Sequence, residues 1–299
     1  MLNRSWVVTT GVLGAALMLS ASSFAQGAPA QSAPKDWPKE AGGRRGGAPD
    51  KDKKPAPAPT HSIAGLWANT RDGNQAKGVQ LHPNDGKPEN QPPYTPYGLQ
   101  LYKSHKALEG FNSVPPAVNN DPRVKCEPLW LPRANHYDLG VRIYQDENSV
   151  AILYQYDNRW RIIWTDGRSL PKLLDGGVEI NGEYQEERWM GYSVGKWLDD
   201  TTLQVQTVGT MADDRVWLDN TGRAISDQVH ITETFRRLDS DTLEWTEVLD
   251  DPKVFTKPWE TMKITMKTED PRIDILTRYC SPKEIETYNK AYGDSVSDK

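Results

Sequence analysis

Residues 230–260, HITETFRRLDSDTLEWTEVLDDPKVFTKPWE, decide the fold. Polar and apolar residues alternate through Asp227–Leu238 and again through Thr242–Leu249, with the turn-forming Asp239-Ser240-Asp241 between them. Alternation at period two is the mark of a strand with one buried face, and Asp/Ser clusters favour the reversal that joins two strands. Working outward, Gly191–Trp197 and Thr202–Val208 precede this pair and Val254–Lys267 follows it, extending an antiparallel meander. Pro252 and Pro258 mark breaks or edges, because proline cannot donate a ladder hydrogen bond. Within the quoted stretch, His230, Thr232, Thr234 and Arg236 fall on one face; Ile231, Glu233, Phe235 and Arg237 fall on the other.

Further upstream, Val150–Gln155 and Arg161–Thr165 flank Tyr156-Asp157-Asn158-Arg159, a hairpin whose Asp-Asn centre tolerates positive φ. A two-residue turn would set Tyr154 opposite Arg161 and Tyr156 opposite Arg159. Ala151, Leu153, Trp160, Ile162 and Trp164 then share the other face, which reads as the packed one. The face of phenols and guanidinium groups either meets water or lines a polar cavity. Thr95-Pro96 is an N-cap followed by Pro at the first helical position, opening a helix through about Ala107. Ser281-Pro282-Lys283-Glu284 has the form of a capping box, and Ile285, Tyr288 and Tyr292 share one helical face. A closing helix over 282–292 is therefore expected to pack on the sheet.

Bulk properties narrow the class. Arg4, the apolar run Val7–Leu19 and the small residues Ser23 and Ala25 form a secretory signal peptide, with cleavage expected after Ala25. Residues 26–60 are rich in Ala, Pro, Gly and Lys and poor in aliphatic side chains, the composition of a disordered leader. Residues 61–299 then make one domain, of a size at which all-β folds stay undivided. A net charge of −5 with no basic stripe argues against nucleic-acid binding. No later stretch approaches the roughly 20 apolar residues of a membrane helix, so a periplasmic or secreted location without a membrane span is expected. The chain has two cysteines, Cys126 and Cys280, and in an exported protein an even pair favours a disulfide.

Ser62-Ile63-Ala64-Gly65-Leu66-Trp67 forms a short strand carrying Gly-x-Trp, the local signature of a lipocalin's first strand. The set GLW, TPYG, DPRVKCEP, LPR, IWTDGRSLP, Gly195-Lys196-Trp197 with Thr201-Thr202-Leu203-Gln204-Val205, HITETFRR, DTLEWTEVLDDP and FTKPW resembles a large family of uncharacterised exported proteins of Gram-negative bacteria. The resemblance covers roughly His61 to Cys280. It implies a lipocalin-like β-barrel or strongly curved sheet and carries no activity that transfers. Lys196 departs from the pattern, standing where such proteins have an acidic or polar residue beside the tryptophan.

Candidate chemistry follows from the strand faces. Glu233 lies between apolar neighbours, and a carboxylate facing an apolar cavity has a raised pKa suited to general acid–base work. With His230 and Tyr154 it forms the candidate catalytic set; the alternatives are a salt-bridged glutamate and a structural histidine. Eleven tryptophans are many for this length, and strand-borne rings either fill a barrel or stack on a ligand. Tyr156, Arg161, Trp164, Arg168, Trp197 and Arg236 are the candidate ligand contacts. Arg168, in the Asp166-Gly167-Arg168 turn, suits an anionic group. The other histidines show no ligand spacing, so no metal is expected, and no cofactor motif is present. The leading expectation is an all-β barrel that binds a small apolar or aromatic ligand in its cavity. The alternative is an enzyme doing cofactor-free acid–base chemistry (isomerase, lyase or hydrolase) in the same cavity. The sequence leaves the oligomeric state open.

Overall fold

The computed structural model describes residues 54–69, 80–137, 140–156, 158–211, 215–270, 272, 274–275 and 280–293. The expected signal peptide and the leader up to residue 53 lie outside the described residues. At the leader's end, Ala56 exchanges two hydrogen bonds with Ser240.

The strands are β1 (Gly65–Asn69), β2 (Val141–Gln145), β3 (Ser149–Tyr154), β4 (Trp160–Trp164), β5 (Lys172–Leu174), β6 (Gly177–Ile180), β7 (Glu183–Glu186), β8 (Tyr192–Trp197), β9 (Thr202–Val208), β10 (His230–Arg237), β11 (Thr242–Asp250), β12 (Trp259–Glu260) and β13 (Ile264–Thr268). Three short helices, α1 (Pro96–Ser104), α2 (Arg133–His136) and α3 (Pro282–Tyr288), accompany them. Nine strands close into a barrel in the order β10-β9-β8-β4-β3-β2-β1-β13-β11, with β11 returning to β10. Closure removes the free edges that an open sheet leaves as sites for unwanted pairing. All barrel neighbours are antiparallel except β4 and β8, which run parallel and pair only at Ile163↔Ser193 and Trp164↔Val194. Strands β5 to β7 form a separate three-stranded ribbon.

Alternation on β10 and β11 works as the sequence implies. Ile231, Glu233, Phe235 and Arg237 point inward, as do Leu243, Trp245, Glu247 and Leu249. Phe235 and Trp245 stand opposite each other with ring centroids 4.4 Å apart. Leu203, Val205, Ile143, Ile152, Ile163, Ile264 and Met266 complete the apolar middle of the interior. One end is closed by Trp67, whose indole N–H donates to the Ile63 carbonyl at 2.9 Å. The Arg237 guanidinium lies 4.9 Å over the Trp67 ring and donates to the carbonyls of Ala64 and Ser240.

The β3–β4 hairpin differs from expectation in two ways. Its register pairs Ile152 with Arg161 and Leu153 with Trp160, a shift of two residues that lengthens the turn. A shift of two preserves the faces, but the buried face is the one carrying Tyr154 and Arg161, together with Val150, Ile152 and Ile163. Trp160 is 66% exposed on the outside. The reversal has a physical cause: the interior supplies Arg161 with a carboxylate partner, described below, so a guanidinium is admitted among aliphatic side chains.

The expected strand over 254–267 is broken into β12 and β13, and helix α1 ends at Ser104. Both helix starts are capped as read: Thr95 Oγ1 accepts from Gly98 N–H, and Ser281 with Glu284 completes a capping box. Beyond α3, Asn289–Gly293 forms one π turn. Among the described residues, helix α3 packs against the 3-10 turn Pro122–Lys125 rather than on the sheet. Cys126 and Cys280 are bonded, with Cα atoms 5.2 Å apart, so its start is tied to the loop before α2. Its Tyr288 hydroxyl donates to the Pro116 carbonyl at 2.6 Å. Among the described residues, no helix is long and apolar enough to cross a membrane.

Candidate functional site

Opposite the Trp67 end, the barrel interior turns polar. Glu233 on β10 and Glu247 on β11 are directly opposed and fully buried. Two carboxylates so placed repel unless cations and donors intervene. Arg161 reaches across from β4 and grips both oxygens of Glu233, its Nη1 2.8 Å from Oε1 and its Nη2 bonded to Oε2. The same guanidinium donates to Ser193 Oγ at 3.0 Å and Thr207 Oγ1 at 2.6 Å. Burial works against the charge of Arg161, and the field of Glu233 outweighs it, raising its pKa.

Helix α2 supplies the rest. Asn135 Nδ2 lies 3.2 Å from Glu233 Oε1 and 2.5 Å from Glu247 Oε1, so one amide bridges the two acids. Its Oδ1 accepts from the Tyr154 hydroxyl at 2.7 Å. His136 Nε2 lies 2.7 Å from Glu247 Oε2, and Thr261 donates to that oxygen at 3.3 Å. The helix is held in place by Arg133, which forms a fork on Asp121 at 2.9 and 2.6 Å and bonds Asn220. Buried side chains from α2 and the walls thus occupy this end of the barrel.

The candidate catalytic residues are divided by this arrangement. Glu233 and Tyr154 face inward and meet through Asn135; His230 lies on the outer face of the same strand. Both Glu233 oxygens are engaged, and burial raises the pKa of the Tyr154 phenol. Burial lowers the pKa of His230, against the pull of Asp250. No single face brings the three together. Of the ligand candidates, Trp197 packs near the other end beside His61, with centroids 5.1 Å apart, and Arg236 is exposed on the outer wall. Tyr156 packs at a tilt against Tyr137, centroids 4.5 Å apart, beneath Arg123. Asp251, just past the end of β11, accepts from Ser226 N–H and Oγ at 2.6 and 2.7 Å.

Arg161, Trp164 and Arg168 converge on the short parallel join. Ahead of the two paired residues, β4 and β8 are separated by a cavity of about 480 Å³. Its walls are Trp160, Trp164, Trp189, Met190 and Tyr192, and Arg161 and Ser193 also line it. Trp189 is anchored by its indole N–H to the Leu129 carbonyl at 3.2 Å. The Arg168 guanidinium lies 3.8 Å over the Trp164 ring and donates to the Tyr192 hydroxyl at 3.0 Å. Arg188 covers the other ring, 5.3 Å from the centroid of Tyr192. The cavity therefore offers flat apolar walls with guanidinium groups around them, a combination suited to a planar ligand.

Met190, Tyr192 and Arg188 were not evident as site residues from the sequence, since they precede or open a strand whose parallel neighbour has no local signal. Asn135, His136 and Glu247 were missed for a similar reason: nothing local marks residues that meet across more than 90 positions. Comparison with protein-family models, curated proteins and solved structures returned no match.

Proposed function

We propose that this is an exported binding protein that holds a small aromatic or apolar molecule in the groove between β4 and β8, not in the middle of the barrel. The observation that carries this reading is the cavity of about 480 Å³ walled by Trp160, Trp164, Trp189 and Tyr192. Its size lies within the ordinary range for small-molecule sites, roughly 300–1,000 Å³. The interior is taken up by the apolar middle and the Glu233–Glu247 network, so the site expected inside the barrel moves to its flank. The resemblance to exported lipocalin-like proteins, the signal peptide expected over 1–25 and the disulfide support an extracytoplasmic setting. The acid–base alternative has to use Glu233 or His230 singly, with partners from other strands, because the wall separates the two.

Native mass spectrometry of protein purified from its own periplasm tests this directly. A retained small molecule is expected, and it is lost from Trp160→Ala, whose exposed ring makes no contribution to the core. Titration with naphthalene-type probes is expected to show about tenfold weaker binding by that variant, the scale of one aromatic contact. Failure of any such probe to bind the native protein, together with an empty native spectrum, would exclude the groove as a ligand site.

A further inference from the structure

We infer that the ligand of the β4–β8 groove is a planar aromatic anion, a carboxylate held by Arg159 and Arg188. This rests on the groove reading above and specifies its chemistry. Among the described residues, the twelve that line the cavity include Arg159, Arg161 and Arg188 and no aspartate or glutamate. Arg161 is neutralised from behind by Glu233. Arg168, at the rim, is neutralised by Asp166, with which it forms a 2.6 Å ion pair.

Among the described residues, neither Arg159 nor Arg188 has a carboxylate partner. The Arg159 side chain makes no hydrogen bond or ion pair among the described residues, and it is exposed at the end of the groove that adjoins a small cavity beside Tyr154 and Tyr156. Arg188 spends one N–H on the neutral Gln185 amide at 2.6 Å and sits 5.3 Å from the Tyr192 ring centroid. Two uncompensated guanidinium groups thus flank a cavity with aromatic walls, in a chain whose net charge is −5. A purely apolar ligand would use the rings and leave both charges idle. A carboxylate attached to a flat ring uses both features: the ring lies between indoles, and the anion meets the planar forks that guanidinium groups present to carboxylates.

The test compares 1-naphthoate with 1-naphthamide, which share a ring system and nearly the same size but differ in charge. Isothermal titration at low ionic strength is expected to show the carboxylate binding at least tenfold more tightly. In Arg159→Gln/Arg188→Gln the preference is expected to fall to within twofold while amide binding persists, since both changes are at the surface and leave the rings in place. Equal affinities in the native protein, or an undiminished preference in the double variant, would overturn the anion assignment and leave the groove reading standing. Binding of neither probe would overturn both. Trp160→Ala separates the two contributions, because it is expected to weaken both probes alike.

Discussion

At the scale of single residues, the feature that needs explaining is a pair of opposed, fully buried glutamates. Glu233 and Glu247 share a rung of the β10–β11 ladder, where like charges destabilise. The fold accommodates them by setting Arg161 on one, His136 on the other and the Asn135 amide between. Removing one member of such a set leaves an uncompensated buried charge, which is worse than never having had the pair. Arg161→Met is therefore expected to lower stability by about 3–5 kcal/mol. Arg161→Met/Glu233→Leu is expected to recover more than half of that loss, because both charges then leave together. Urea unfolding of the native protein and the two variants measures this; a double variant as unstable as the single one would show that the pair is not the source of the effect. The sequence made part of this legible. Alternation along 230–237 correctly separates His230 from Glu233, because strand geometry is local. The partners of Glu233 were not legible, since Arg161 lies 72 positions away and Asn135 lies 98.

Elements were legible where their signals are local and failed where pairing decides. Thr95 and Ser281 cap their helices as their sequences specify, because a cap involves only three or four neighbouring residues. The β3–β4 register slipped by two, since turn length is set by how Arg161 and Tyr154 meet the interior as well as by Asp157-Asn158. The ribbon β5–β7 was not anticipated: KLL, GVEI and EYQE are too short and too little buried to alternate. Helix α3 shows how a covalent tie overrides amphipathic logic. Its apolar face was expected on the sheet, yet the Cys126–Cys280 bond sets it against the loop holding Pro116. That bond closes 154 residues and also steadies the approach to α2, the helix that delivers Asn135 and His136. Cys126→Ser/Cys280→Ser is expected to lose about 4–5 kcal/mol in the chain-entropy account. Thermal unfolding compared with and without reductant checks it: reductant should lower the native midpoint and leave the variant unchanged.

Across the whole molecule, stability is expected to be uneven in a way that the topology dictates. Strands β9, β10 and β11 are paired on both sides over long registers, and their amides open only with the barrel as a whole. The parallel join is the weak seam, with two residues in register where its neighbours have five or six. On β4, the bonds from Tyr154 N–H to the Arg159 carbonyl and from Thr165 N–H to the Asn148 carbonyl fix which residues turn toward β3. Antiparallel alternation then directs the Trp160 and Ile162 amides toward β8, where the groove separates the strands. Native-state hydrogen exchange is therefore expected to show those two amides exchanging at least about a hundredfold faster than the amides of Ile231, Glu233 and Phe235, a difference of about 3 kcal/mol in opening free energy. An aromatic carboxylate that seats in the groove should slow Trp160 and Ile162 and leave the β10 amides at the global rate. If Trp160 and Ile162 are instead as protected as β10 before any ligand is added, the seam is closed in solution. The strands would then meet where the groove parts them, and no cavity of that size would remain for a ligand.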